Sequence, residues 1–256
     1  NEDNKTLPTI LPYATYYSGL EKFKKYKYSN TIETYNIFRD KATNIHSKKQ
    51  IKLSSKFSIN KNHIKYKTRF DYGMEFYNQY FVTENKKINN TYSNNDYARS
   101  FPIFGIKSEI PFRLKSNFKN LVYTPRLSLV LAPGMSNTEK ISNEDSSINS
   151  YTIQSNTNFN RFTGSDKLDN SKRINLSFSI DNENFNSTLW SAYELTNNSN
   201  FHYSQGNEKK LSDLLGSFSL KYYELINGYN FRYDPHEDYM KSQNYSISYN
   251  NTIGDL

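Results

Sequence analysis

The sequence contains no cysteine and no long apolar run, and both absences narrow what the chain can be. Disulfides and thiolate metal sites are excluded from these 256 residues. The longest apolar streak, around "LSLVLAP", is less than half the roughly 18 residues of a membrane-spanning helix. Residue 1 is Asn rather than Met, and no signal-peptide pattern follows it. We expect a fragment of a longer protein that has no membrane-spanning helix.

Motifs of catalysis and metal binding are also missing. GxSxG, P-loop and HExxH patterns do not occur, and no two histidines have ligand spacing. "YDPHEDY" offers Asp234, Glu237 and Asp238 to a divalent ion, but it lacks the alternating oxygens and central glycine of a calcium loop, so an Asp-Pro turn is favoured. We predict neither an enzyme nor a cofactor. The four histidines are His46, His63, His202 and His236.

Aromatic residues are abundant in a chain that is otherwise polar and basic. Only 35% of residues are hydrophobic, yet 16% are aromatic, which argues against disorder. The net charge of +8 suits binding to nucleic acid, anionic lipid or an acidic ligand. The alternative is that it only reflects a genome composition that favours Lys and Asn, because the lysines are scattered along the chain. The cations alternate with apolar residues instead of forming one basic stripe, so nucleic acid is the weakest of these partners.

Apolar and polar residues alternate with a two-residue period along most of the chain. "IKLSSKFSI" and "SKRINLSFSI" place aliphatic and aromatic side chains on one face and lysine, arginine, serine or asparagine on the other. Such a pattern predicts β-strands with one apolar and one polar face. About eleven strands of roughly 9 to 14 residues result, which is long for a soluble domain and suited to a tilted bilayer crossing. The predicted cores are Pro8–Ser18, Tyr28–Arg39, Ile51–Ile59, His63–Gln79, Phe104–Lys115, Leu121–Pro133, Lys172–Asp181, Phe185–Thr196, Leu211–Tyr222, Ile226–Asp234 and Lys241–Thr252.

The connections between these strands alternate between short and long. "NKN" after Ile59, "SNFKN" after Lys115, "NEN" after Asp181 and "ELI" near Glu224 are short. Long polar stretches begin at Tyr80, 134 and 197. This rhythm is typical of outer-membrane barrels with short periplasmic turns and long extracellular loops. A soluble sandwich would also alternate, but it would bury its apolar faces against each other.

We therefore predict an all-β fold, an antiparallel transmembrane β-barrel segment. An open sheet leaves unpaired edges, which lipid does not tolerate. Residues 1–256 are accordingly expected to be part of a single outer-membrane barrel domain whose remaining strands precede and follow them. Two other interpretations stay open, a porin or solute receptor and a soluble all-β binding module such as an adhesin repeat.

One region carries a more specific signature. "LVYTPRLSLVLAPG", then "NEDS", then "TNFNRFTGSDKLDNSKRINLSFS" from Thr157 resembles the outer-membrane LPS-assembly family, LptD or organic solvent tolerance protein, particularly its alphaproteobacterial members. "TLPTILPYATYY", "GIKSEIPF" and "LSDLLGSFSLKYYELINGYNFRYDP" resemble other family segments, so the likeness spans nearly the whole chain. The matched positions are Thr124, Pro125, Arg126, Ala132, Pro133, Asn160, Arg161, Phe162, Gly164, Asp166 and Arg173.

The chain departs from the family pattern in two loops. It has "GLEKFKKYKYSN" where the family carries a glycine pair, and "GSDK" where the family has a "GYDR"-like tetrad. The family's periplasmic jellyroll, first barrel strands and cysteine-containing C-terminal end are not in this segment. Its lateral gate is therefore expected to lie elsewhere.

The resemblance implies a role in lipopolysaccharide (LPS) assembly in the outer membrane of a Gram-negative bacterium. In the family, a barrel moves LPS into the outer leaflet without covalent chemistry. The implied partners are LPS, outer-membrane lipid, an LptE-like plug lipoprotein and the periplasmic LPS-transport bridge.

Two sets of residues are candidate sites. The "NEDS" and "NRFTGSD" residues are predicted to lock a long loop through hydrogen bonds to the backbone, so that their loss impairs assembly. The lysines and arginines on the polar face of the strands are expected to point into the barrel lumen, and we call them the inward cations. They either contact LPS phosphates and acidic sugars or form a polar lining partly neutralised by Asp71, Glu75 and Asp234. The loop residues are Asn143, Glu144, Asp145, Ser146, Asn160, Arg161, Phe162, Gly164 and Asp166, and the cations are Lys52, Lys56, Lys65, Lys67, Arg69, Arg126, Arg173, Lys221 and Arg232.

The stretch "HIKYKTRFDYGMEFY" is predicted to divide lipid from water along one strand. The side chains expected toward lipid are Ile64, Tyr66, Phe70, Tyr72, Met74 and Phe76, and those toward water are Lys65, Lys67, Arg69, Asp71 and Glu75.

Overall fold

Strands form along the alternating segments, because a pleated backbone sends successive side chains to opposite faces. A computed structural model describes residues 3–114, 120–133, 135, 137–147, 152–196 and 210–249. Besides the strands it contains a 3-10 turn at Asn4–Thr6 and the short helix α1 at Ile153–Thr157. The strands are β1 Thr9–Tyr17, β2 Glu21–Phe23, β3 Tyr26–Phe38, β4 Lys49–Lys65, β5 Thr68–Ile88, β6 Thr91–Glu109, β7 Phe112–Arg113, β8 Val122–Leu131, β9 Lys172–Asp181, β10 Phe185–Glu194, β11 Leu214–Tyr222, β12 Leu225–Asp234 and β13 Tyr239–Tyr249.

All thirteen strands belong to one antiparallel sheet, which confirms the predicted all-β class. The order is β1-β3-β4-β5-β6-β8-β9-β10-β11-β12-β13, and the short strands β2 and β7 pair with β3 and β8. Each long strand therefore lies beside its neighbours in sequence. Within the described residues, no helix has the length and apolarity needed to cross a membrane.

Cross-strand pairing gives the sheet two chemically different faces. Ser54, Gln79 and Arg99 are cross-strand partners on one face of the sheet. Residues 137–147 and 152–171, which we call the covering loop, pack on this face. We call it the inner face. The opposite, outer face exposes apolar side chains across many strands, with Leu53 54% and Leu176 47% exposed. A broad exposed apolar surface of this kind is typical of contact with lipid or a partner.

The prediction of one strand over His63–Gln79 is wrong. β4 continues to Lys65, Tyr66 and Lys67 form a tight turn with φ of 50° and 63°, and β5 begins at Thr68. The "NKN" segment is inside β4 instead of being a turn. Two-residue hairpin turns with positive φ usually carry Asn, Asp or Gly, so "YK" gives no signal in the sequence.

The predicted long loop from Tyr80 is also wrong. The segment is a hairpin in which β5 extends to Ile88 and β6 starts at Thr91, with Asn89 and Asn90 at φ of 49° and 65° in the turn. The strands of this hairpin lack apolar alternation, and the one signal for it in the sequence is the Asn-Asn pair at the turn.

The two other short connections that the structure describes lie at or within two residues of their predicted positions. "NEN" forms the β9–β10 turn, in which the Asn182 side chain accepts the Asn184 and Phe185 N–H groups. Tyr223 and Glu224 form the β11–β12 turn. The "SNFKN" turn, apart from Asn120, and residues 197–209 of the third long stretch lie outside the described residues.

The covering loop docks on the sheet through an aromatic ring placed over two glycines. Gly73 of β5 and Gly105 of β6 are direct partners. A Cβ atom would lie 2.7 Å from the Phe159 ring at Gly73 and 2.1 Å at Gly105. Phe159 also packs against a buried cluster that includes Tyr77 and Ile103. Only glycine leaves room for the ring at these two positions.

We expect Gly105→Ala to loosen the covering loop, because overpacking of this kind costs about 1–3 kcal/mol. Protease cleavage within 137–171 and thermal unfolding in detergent would measure the change. Adding Phe159→Ala removes the clash, so the double variant should be less destabilised than the sum of the single changes. Additive effects would contradict the contact.

Candidate functional site

Two acidic side chains hold the two halves of the covering loop together reciprocally. The Asp145 carboxylate accepts the backbone N–H groups of Ser165 and Asp166. The Asp166 carboxylate in turn accepts the backbone N–H groups of Glu144 and Asp145, at 2.7 and 3.1 Å. Gly164 is required here, since a Cβ atom would lie 2.3 Å from the Asp145 carboxylate. The "NEDS" and "GSD" segments thus cap one another.

Lys52 joins this pair of carboxylates to the sheet. Its fully buried ammonium lies 3.1 Å from Asp166 and 3.2 Å from Glu33, and it donates a hydrogen bond to Asp145. The Tyr35 hydroxyl donates to Asp166 from the neighbouring strand. We call Glu33, Tyr35, Lys52, Asp145 and Asp166 the Lys52 cluster. A buried charge is tolerated only when it is paired and hydrogen-bonded, so the cluster depends on all its members.

The electrostatics differ between the two loop aspartates. Burial and the nearby Asp145 carboxylate raise the pKa of Asp166 to about 6 in spite of Lys52. Burial disfavours ionisation of Asp145 as well, but the charge and hydrogen bond of Lys52 leave its pKa lowered. Two carboxylates that share one ammonium titrate apart in this way, because each opposes ionisation of the other.

Glu144 binds a second cation beside the cluster. Both guanidinium NH₂ groups of Arg39 contact its carboxylate, at 3.0 and 2.7 Å, and the Ser142 hydroxyl also donates to it. Burial alone would raise the pKa of Glu144, but His46, whose Nδ1 lies 3.5 Å from the carboxylate, and the hydrogen bonds from Arg39 and Ser142 lower the pKa to about 2. The carboxylate is therefore ionised in the folded protein across the neutral and mildly acidic range.

A second buried ion cluster fixes the C-terminal part of the covering loop. Arg161 donates to Asp169 and, at 2.7 Å, to Glu194 of β10. Arg173 of β9 lies 3.1 Å from Asp169, and Ser171 donates to Glu194. The side chains of the two arginines are at most 2% exposed. This part of the loop is thereby tied to β9 and β10.

The remaining motif residues close local turns. Asn143 and Ser146 exchange two hydrogen bonds between side chain and backbone. The Asn160 side chain accepts the Phe162 and Asp169 N–H groups and donates to the Gly164 carbonyl. Phe162 is buried. The motif thus makes the predicted side-chain to backbone hydrogen bonds, and its role in assembly stays a prediction.

Beneath the covering loop, the inner face lines a cavity of about 670 Å³. Ile153 and Phe159 of the loop and Trp190 of β10 form its apolar boundary. Glu109 lies at its charged end, 3.2 Å from Arg126, 3.3 Å from Arg69 and 3.5 Å from Lys107. A cavity with this lining is suited to polar ligands that carry acidic groups.

Most of the predicted inward cations lie on the inner face. Arg173 and Lys52 are buried in the ion clusters, and Lys221 is exposed near a turn. The predicted neutralising groups are present, since Asp71 pairs with Arg69, Glu75 with Lys56 and Asp234 with Lys241. The further cations with inner-face partners are Arg126, with Glu109 and Ser179, and Arg232, with Asp213.

Lys65 and Lys67 are not inward cations. Lys65 pairs with Thr68 at the end of β4, on the outer face, and Lys67 lies within the turn. Ile64 is the partner of Arg69 and belongs to the inner face, contrary to the predicted lipid contact, and Tyr66 is in the turn. Residues before the Tyr66–Lys67 turn lie on the opposite face from the predicted one, because the turn breaks the two-residue alternation assumed across it.

Several residues of the site had no signal in the sequence. Gln50 donates to the Ser142 carbonyl and accepts the Ser142 N–H. Arg99 donates to the carbonyls of Ser165 and Asp166. Gln50 directly precedes the predicted strand Ile51–Ile59, and Arg99 lies in the predicted long loop from Tyr80. Their partners are 66 to 92 residues away in sequence.

We expect Lys52→Met to destabilise the protein by about 3–5 kcal/mol, because it leaves buried carboxylates unpaired. Lys56→Met is the matched control, on the same strand and face, where the pair with Glu75 is partly exposed and worth about 0–1 kcal/mol. Unfolding of the full-length protein in detergent measures both. Equal shifts would contradict a central role of Lys52.

We expect Glu144→Gln to change the pH dependence of stability. The depressed pKa of Glu144 contributes stability that is present above about 4.5 and lost as pH falls toward about 2. The contribution is at most about 3 kcal/mol. The variant should be less stable than the parent at pH 7, and the difference should shrink between pH 4.5 and pH 3. Asp166 titrates in both proteins, so its contribution cancels when the parent and the variant are compared. A stability difference between them that does not change with pH would contradict the role assigned to Glu144.

Comparison with known proteins agrees with the fold. No curated protein was found to match the chain. A family model described as LptD, LPS transport system D, matches residues 1–255. That family is one of transport and assembly proteins of the Gram-negative outer membrane and not of enzymes. The family model matches nearly the whole chain, and the all-β sheet has one apolar face and one ion-paired face. The chain therefore belongs to the LptD family and serves LPS transport at the outer membrane.

Proposed function

We propose that the sheet forms part of the wall of an outer-membrane barrel that moves LPS into the outer leaflet. The observation that carries the proposal is the division of one continuous sheet between an exposed apolar face and a face covered by ion-paired loop residues. A transmembrane barrel needs an apolar exterior and a polar lumen. The outer face contacts lipid, and the inner face lines the passage.

The two ends of the strands suit opposite sides of the membrane. Tight turns at Tyr66–Lys67, 182–184 and Tyr223–Glu224 lie at one end, and the covering loop and the Asn89–Asn90 hairpin lie at the other. Short turns face the periplasm in outer-membrane barrels, and long loops face the exterior. The covering loop then closes the lumen from outside.

The cavity under the covering loop is the part of the lumen best suited to the LPS sugar. Arg126 and Lys107 each lie beside Glu109 on its wall. A phosphate or acidic sugar can take the place of that carboxylate, since it accepts the same hydrogen bonds. Arg69 and Arg126 are the predicted cations best placed for this contact, whereas Arg173 and Lys52 are committed to holding the loop.

The implied partners fit the same arrangement. LPS arrives along the periplasmic bridge at the turn end, and an LptE-like plug lipoprotein occupies lumen outside the covering loop. The inner face of β12 and β13 is available to such a plug, because Asn230, Asn244 and Ser246 there are exposed.

Site-specific photo-cross-linking in cells tests this route. A photoreactive residue at Ser128, on the inner face and lining the cavity, should form adducts with LPS. The control is Leu127, the adjacent residue, which is on the outer face and 48% exposed. Absence of LPS adducts at Ser128 in cells that export LPS normally would overturn the route. Steady conductance of the protein in planar bilayers, together with unchanged surface LPS when the protein is depleted, would favour a porin.

A further inference from the structure

The outer face carries cations that differ from those of the inner face. Beneath the covering loop and along its cavity, the cations are ion-paired, as Lys52, Arg126 and Arg173 show. At the turn end of the outer face, Lys61 and Lys65 form no ion pair with any carboxylate in the described parts of the chain, and the same holds for Lys24 and Lys25. They are available to a ligand from outside.

Three of these lysines are placed against aromatic rings. The ammonium of Lys24 lies 5.4 Å from the centre of the Phe23 ring, that of Lys61 5.2 Å from Tyr26, and that of Lys65 5.2 Å from Tyr66. Tyr26 and Lys61 are direct cross-strand partners on the outer face. The four lysines and the three rings lie at or beside the hairpin turns of β2–β3 and β4–β5. We call this surface the basic aromatic rim.

An open groove of about 490 Å³ runs through the basic aromatic rim. Lys25, Lys61 and His63 border it, and Ile59 and Met74 line it together with Tyr72. Cationic groups therefore lie beside an apolar surface that continues along the strands. Glu21 is the acidic group of the same hairpin face, and the Tyr28 hydroxyl donates a hydrogen bond to it.

We propose that the basic aromatic rim binds the headgroup of an anionic glycerophospholipid of the periplasmic leaflet. The ammonium groups pair with the phosphate, the tyrosine rings lie at the level of the headgroups, and an acyl chain follows Ile59 and Met74 into the membrane. Lysine is suited to this contact, since its long stem packs on apolar surface while its charge stays at the interface.

The choice of phospholipid over LPS rests on the proposed membrane placement, in which the turn end is periplasmic. LPS is destined for the outer leaflet at the opposite end of the strands. The groove also lies on the outer face, behind the sheet from the cavity assigned to the sugar. A headgroup bound here anchors the β2–β5 part of the wall at the membrane interface.

Lipid competition with the full-length protein tests the proposal. The protein is reconstituted in nanodiscs of phosphatidylethanolamine and phosphatidylglycerol, and the lipids retained after partial delipidation are counted by native mass spectrometry. The parent should retain phosphatidylglycerol in excess. Lys25→Gln, Lys61→Gln and Lys65→Gln combined should reduce the phosphatidylglycerol-to-phosphatidylethanolamine ratio by about threefold or more.

The control combines Lys22→Gln, Lys27→Gln and Lys221→Gln, which remove the same charge at the same end but from the inner face. It should keep the parental ratio, and the three outer lysines changed to Arg should keep it too. Equal loss in the outer and inner variants, or no loss in either, would overturn the proposal. Retention of added LPS instead of phosphatidylglycerol through the three lysines would also overturn it.

The two proposals fail separately. Loss of LPS adducts at Ser128 with the phosphatidylglycerol preference intact would count against the transport route alone. Normal adducts at Ser128 without that preference would count against the lipid site alone.

Discussion

The two capped segments of the covering loop depend on one buried ammonium group of the sheet, that of Lys52. It joins a strand of the sheet to both capped segments of the covering loop, and its neighbours Asp145 and Asp166 each bind the backbone that carries the other. Without the ammonium, two carboxylates within a buried site would repel each other and the caps would open. The attachment of these two capped segments to β4 follows from this one charge.

This arrangement separates two uses of positive charge on the same sheet. Lys52 and Arg173 are completely buried and serve the fold, while Arg126 is partly exposed and shares its carboxylate with other cations. A ligand can compete for the second kind and cannot reach the first. Counting inward cations along the strands therefore overestimates the number that a ligand can reach.

Much of the sheet could be predicted from alternation because the outer face is exposed and the inner face is polar. The strands around Leu53 and Leu176 follow that pattern, and they lie where it placed them. The failure at Tyr66–Lys67 has a local cause, because a tight turn without Gly, Asn or Pro leaves the period of two apparently unbroken.

The covering loop was predictable in its residues but not in its partners. Asp145 and Asp166 belong to recognisable motifs, whereas Tyr35 and Lys52 are ordinary strand positions whose importance arises only from contacts across about a hundred residues. Spacing along the chain carries no information about such contacts, since they depend on sheet register and on the path of the loop.

The glycine pair under Phe159 also makes strand register a condition of loop docking. Gly73 and Gly105 face each other only in the native pairing of β5 and β6. If β5 shifted by two residues along β6, Asp71 or Glu75 would take the place of Gly73, and the ring would meet a charged side chain. A wall assembled out of register therefore cannot be closed by its own loop.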